Sequence, residues 1–150
     1  MLFQPLPGWR QVKVTDRRTA KDFAHGLQEL VAVHFPKATL MSVVLDHLNT
    51  HRPAALYEAF PPPEARRLLR KLDLRDTPTH GSWLNRAESA CAVLSPQGLA
   101  RRLPDQETVC RTPMAWQTPR NAAQAKVNWR FTMAKARRKL KRLSPSQPLC

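Results

Sequence analysis

The chain has 150 residues, 42% of them hydrophobic, enough for one domain with a core and too few for two large ones. Twenty-five Lys and Arg against 11 Asp and Glu leave a net charge of +14 and a pI near 11.1, which favours a polyanionic partner, nucleic acid first, over a merely solubilising surface or a basic tail. No apolar run approaches the roughly 18 residues of a membrane span, and no signal-peptide pattern opens the chain. Cys91, Cys110 and Cys150 form no CxxC pair, so the expectation is a cytoplasmic protein with reduced thiols and no disulfide framework.

In chain order, "MLFQPLPGWRQVKVT" predicts the end of one strand, a turn at Pro5, Pro7 and Gly8, and a second strand over Trp9 to Thr15. Thr19 and Asp22 have capping-box spacing and open a helix. Phe23, Leu27, Leu30 and Val31 share its apolar face, and Pro36 ends it. "ATLMSVVLDH" is short, partly β-branched and flanked by loop signals, so it predicts a buried strand. A short helix begins at Pro53 and runs to Phe60. The run Pro61-Pro62-Pro63 breaks it, and a basic helix follows from Glu64 to Lys71.

"LDLRDTP" predicts a brief strand, and a long helix is expected from about Trp83 to Leu99. Another helix starts in "LPDQETV" and is weakened by Pro113 and Pro119. The last helix, about Arg130 to Leu143, sets Met133, Ala136, Leu140 and Leu143 on one face and basic residues on the others. "SPSQPLC", 144–150, is expected to be a disordered tail. The order β-β-α-β-α-α-β-α predicts an α/β domain.

Two acids carry the strongest chemical suggestion. Asp46 stands at the carboxyl end of the predicted buried strand, where open α/β sheets place their ligands; it can equally cap the helix after Pro53. Glu88 follows Asn85 by three residues, which fits a capping box with Asn85 as N-cap. It also fits a metal-binding carboxylate one turn into a helix beside the Asp46 strand, since Mg²⁺ takes oxygen ligands. His47, His51 and His80 match no familiar zinc spacing. Trp116 and Trp129 read as core residues.

Taken together, "VVLDHLNTHRPAALYEAFPPPEARRL" and "TPTHGSWLNRAE" resemble bacterial insertion-sequence transposases of the DDE superfamily, relatives of the Tc/mariner group. The likeness continues upstream through "GWRQVKVTDRRTAKDF" and downstream through "LSPQGLARRLPDQET" and "RNAAQAKVNWRFTMAKARRKLKRL". It implies an RNase H-like fold and a triad of two Asp and one Glu holding two divalent metals, Mg²⁺ or Mn²⁺, for cleavage and strand transfer on DNA. By resemblance Asp46 matches the second Asp and Glu88 the Glu. Asn49, His51 and Asn85 match loop positions near the DNA.

The resemblance also carries departures. The family's first Asp lies on a strand upstream of "GWRQVKVT", and neither Asp16 nor Asp22 matches it. His47 stands where Asn is common, and Ala90 where a further acid is common. Asp76 is a weak substitute for the first acid. The expectation is therefore an incomplete RNase H-like domain lacking the first strand, over residues 1–143: a core of about 1–100 and a basic helical C-terminal extension of about 101–143. It would be inactive alone; the first alternative is half of a split or frameshifted transposase completed by an upstream product, and a homodimer is a further partner to expect. A non-enzymatic basic DNA-binding protein is the second alternative. Arg101, Arg102, Arg137, Arg138, Lys139, Lys141 and Arg142 are expected to contact phosphates of double-stranded DNA, placing the protein at the bacterial nucleoid when bound.

Overall fold

The computed structural model describes residues 1–46, 48–77, 85–127 and 132–139. The architecture is mixed α/β. Strands β1 (Leu2–Gln4) and β2 (Trp9–Gln11) form an antiparallel hairpin, with Leu2 opposite Gln11 and Gln4 opposite Trp9. Strands β3 (Met41–Leu45) and β4 (Leu72–Asp76) pair in parallel, Met41 opposite Leu72 and Leu45 opposite Asp76. Among the described residues these are two separate two-stranded sheets, and no strand pairs with the second edge of β1 or of β3.

Helix α1 (Ala20–Glu29) starts as its local sequence requires. Thr19 Oγ1 accepts from the Asp22 amide and the Asp22 carboxylate accepts from the Thr19 amide, a complete capping box. A π-helical turn over Leu30–His34 extends it, and the chain turns away before Pro36. The crossover from β3 to β4 runs through α2 (Ala54–Ala59) and α3 (Pro62–Leu69). Helix α3 begins two residues before the expected Glu64. Pro62 and Pro63 occupy its first turn, where a missing N–H costs nothing and the fixed φ suits a helix.

The apolar stripes of these helices meet in one core. Leu27 and Val31 on α1 and its extension, Leu56 on α2 and Leu68 on α3 are almost wholly buried, and Leu72 of β4 joins them. Burying each of these leucines contributes roughly 1.5–3 kcal/mol. Met41 and Val43 of β3 pack on this core, whereas Ser42 and Val44 point away and Val44 is 53% exposed. The strand expected to be buried is thus half-buried, because helices cover only one of its faces.

Helix α4 (Arg86–Leu94) is N-capped by Asn85, then becomes a π-helical turn over Ser95–Leu99. The expected single helix to Leu99 changes hydrogen-bonding pattern at Pro96, which cannot donate to it. Trp83, its expected start, lies outside the described residues. Helix α5 (Gln106–Ala122) is capped by the Asp105 side chain on the Thr108 amide and runs unbroken through both Pro113 and Pro119. Propensity alone had predicted a weakened helix there.

Tertiary packing explains that continuity. Pro113, Trp116 and Gln117 are buried on one face of α5. Asn121 Oδ1 accepts from the Arg10 amide at 2.9 Å while its Nδ2 donates to the Arg10 carbonyl at 2.8 Å. Gln117 Oε1 accepts from the Val12 amide at 2.7 Å. Two side-chain amides therefore occupy the outer edge of β2 as a neighbouring strand would. Strand β2 stops at Gln11 instead of Thr15 because its partner β1 reaches only Leu2, which stands opposite Gln11.

The buried Arg10 side chain fastens the same joint. Its Nη2 donates to the carbonyls of Gly8 (3.1 Å) and Ala125 (2.6 Å), and its guanidinium lies over Phe3 and Trp116. Burial, then the nearby Arg120, lowers its pKa below the usual guanidinium value. Gly8 has φ +81°, and a Cβ there would meet the Gln124 carbonyl carbon at 2.6 Å. The hairpin turn and the end of α5 thus touch backbone to backbone. Helix α6 (Met133–Lys139) lies within the predicted last helix; residues 128–131 and 140–150, including the expected tail, lie outside the described residues.

Candidate functional site

The site is built where β3 ends. Beyond Leu45 the Asp46 carbonyl accepts from the Leu48 amide at 2.8 Å, and the Leu48 carbonyl accepts from the His51 amide at 2.9 Å. These two turns fold the loop back on itself and bring His51 beside Asp46, with Nδ1 and Oδ1 2.5 Å apart. The His51 ring stacks on Phe23 of α1, centroids 4.6 Å apart and planes inclined by 30°. Asp46 is thereby tied through an imidazole to a side chain packed on the core.

Glu88 comes to the same place from α4. Asn85 Oδ1 accepts from the Ala87 amide at 3.1 Å, an N-cap bond to the second helical position. A capping box needs the third amide instead, so the reciprocal Asn85–Glu88 arrangement expected from the sequence does not form. Glu88 is left exposed, on the wall of an open cavity of about 380 Å³ lined by Met1, Asp46, His51, Asn85, Ala87, Glu88 and Cys91. Cys91 follows Glu88 by one helical turn, so their shared face was readable from helical spacing. Phe23 was visible only as a core residue.

Asp46 and Glu88, separated by 42 positions in the sequence, therefore share one cavity, with Asn85 and His51 beside them. Two carboxylates supply the hard oxygen donors that Mg²⁺ or Mn²⁺ takes, and Mg²⁺ is commonly held by one or two carboxylates with waters and substrate phosphates completing the shell. The donor chemistry fits. Among the described residues, however, no group of three or more His, Cys, Asp or Glu is placed to hold a metal by itself.

The other candidate residues lie elsewhere. Asn49 is in the same loop but accepts from Arg52 Nη2 at 3.2 Å, away from the cavity wall. Asp76 is exposed at the end of β4 and is not among the lining residues. Asp16 accepts from Gln106 Nε2, and Asp22 caps α1. Arg101 and Arg102 are exposed after the second π-helical turn, and Arg137, Arg138 and Lys139 are exposed on α6. His47, His80, Trp129, Lys141 and Arg142 lie outside the described residues. Trp116 is 7% exposed, a core residue as expected.

The sequence model of a family described as "DDE superfamily endonuclease" matches residues 3–110, a span containing both Asp46 and Glu88. The chain belongs to this family. No curated protein and no solved structure matches it. As a DDE superfamily endonuclease domain it is related to transposase-type nucleases, whose substrate is DNA and which in general use divalent metals. The mixed α/β architecture with small sheets agrees with such a domain, and no helix among the described residues is long and apolar enough to cross a membrane.

Proposed function

We propose that this protein is the catalytic-domain part of a bacterial insertion-sequence transposase related to the Tc/mariner group, with Asp46 and Glu88 as its metal-binding carboxylates. The observation that carries this reading is the meeting of those two acids on one open cavity. Asp46 would hold the cation from the end of β3 and Glu88 from the first turn of α4. When bound, divalent metal supplies charge neutralisation at a DNA phosphodiester and at the attacking and leaving oxygens. The chain's own contribution is to aim the two carboxylates, Asp46 through the folded loop and Glu88 through the Asn85-capped helix.

The sheet supports an RNase H-like arrangement that the described residues fill only in part. The outer edge of β2 is closed by Asn121 and Gln117. Among the described residues the second edges of β1 and β3 have no strand partner, and Met1, beside β1, borders the same cavity as Asp46, beside β3. A strand lying between them, antiparallel to β1 and parallel to β3, would join the two sheets and bring a third acid to the carboxylate pair. It would come from outside the described residues, supplied by an upstream transposase segment. The core of about 1–100 and the helical extension of about 101–143 then form one catalytic unit, inactive without that strand. At a nucleoid, Arg101, Arg102, Arg137, Arg138, Lys139, Lys141 and Arg142 would contact duplex phosphates, with Asn49 and Asn85 close to the DNA.

Manganese binding and plasmid nicking test this together. The expected result is Mn²⁺ binding that Asp46→Asn and Glu88→Gln each weaken by about ten-fold or more. Nicking reconstituted with a strand-bearing upstream segment should vanish in both variants. Binding and nicking undiminished in both would remove these residues from the site.

A further inference from the structure

A ligand residue is only as well aimed as the groups that hold it, and Asp46 has an unusual holder. Its Oδ1 meets His51 Nδ1 at 2.5 Å, five residues along the same loop. A carboxylate is an acceptor only, so the bond requires the hydrogen on Nδ1. The imidazole is itself fixed twice: by the turn that ends in the His51 amide to Leu48 carbonyl bond, and by its stack on Phe23. His51 also lines the cavity, while Oδ2 of Asp46 has no hydrogen-bond partner among the described residues.

We propose that His51, clamped by Phe23, is a positioning residue that occupies Oδ1 of Asp46 and so presents Oδ2 alone as a one-oxygen ligand for a divalent cation. This inference rests on the assignment of Asp46 and Glu88 as the metal carboxylates and adds the device that orients one of them. Without His51 the Asp46 carboxylate can rotate about its last torsion, which is broad and two-fold. Ordering that torsion must then be done on cation binding. Groups that hydrogen-bond metal ligands are commonly worth 10- to 100-fold in metal affinity.

The experiment uses the full chain, ¹⁵N-labelled, with Mn²⁺ alone as the probe. Long-range imidazole spectra should show His51 protonated at Nδ1, and Asp46→Ala, which removes the acceptor, should change that pattern. A His51 spectrum indifferent to Asp46→Ala would overturn the proposal. Paramagnetic broadening of the Ala87 and Cys91 amides then reports cation affinity. His51→Ala and Phe23→Leu are expected to need about ten-fold more Mn²⁺ than the wild type. His51→Gln, which keeps a donor, should recover part of the loss, a rescue that a merely structural role would not give.

Broadening that is lost in Asp46→Asn and Glu88→Gln yet unchanged in His51→Ala would overturn the positioning role and leave the carboxylate site standing. Broadening that persists in both carboxylate variants, or never appears in the wild type, would overturn the site and the proposal together.

Discussion

The side-chain edge on β2 gives the sharpest stability prediction. In Asn121→Ala the Arg10 amide and carbonyl each lose a partner, at 2.9 and 2.8 Å, in a place where Arg10 is 5% exposed. A net hydrogen bond is worth about 1 kcal/mol, and a buried group left unsatisfied costs about 1–3 kcal/mol. Partial access for water at this joint puts the expected loss at about 2–4 kcal/mol. Urea unfolding followed by tryptophan fluorescence would measure it, since Trp9 lies on β2 and Trp116 on the facing helix. Asn121→Asp sharpens the test. It keeps an acceptor for the Arg10 amide but sets a carboxylate oxygen against the Arg10 carbonyl, so it should be no more stable than the alanine variant. A loss below about 0.5 kcal/mol in Asn121→Ala would refute the reasoning, because it would mean that α5 is not acting as the strand's neighbour.

Three further outcomes are expected. Gly8→Ala should cost more than about 2 kcal/mol in the same assay, since it combines a φ of +81° with a Cβ 2.6 Å from a backbone carbon; near-neutrality would show that the hairpin and the end of α5 are not in contact. Glu29 is held below the ordinary glutamate pKa by its bond to Lys13, and Asp105 below the ordinary aspartate pKa by the Thr108 amide. A depressed folded-state value means stability that is full above about pH 5 and lost as pH falls through the lowered values. Melting temperature should therefore drop below about pH 4.5, and Glu29→Gln should make that drop shallower; an unchanged slope would count against the pairing. Duplex affinity should weaken steeply as salt rises, and Arg137→Ala with Arg138→Ala should reduce the salt slope by about 1 for each phosphate contact removed. A slope unaltered by both would take α6 out of the interface.

Local chemistry was enough for much of the framework. Thr19 and Asp22 announced the start of α1 because a capping box is closed within four residues. Helical spacing collected Leu27, Leu30 and Val31 on one buried face. Asp46 and Glu88 were paired through the resemblance to the DDE superfamily, and in the fold both line one cavity. Local rules erred where a partner decides. Glu88 fitted a capping box by spacing, but Asn85 bonds the amide of Ala87 instead.

Packing alone settled the rest. Helix α5 survives two interior prolines because burial of Pro113, Trp116 and Gln117 and the bonds to β2 outweigh two missing amides. Sheet pairing likewise depends on what lies beside each strand, so no strand's own residues could announce the two separate pairs found among the described residues. His51 was readable as a loop histidine; its grip on Asp46 and its stack on Phe23 exist only once α1 and the loop meet. The sequence by itself determined the caps that start the helices and the apolar stripes they bury. The tertiary structure decided which carboxylates share a wall and what holds them, because contacts between distant segments form only where the core brings those segments together.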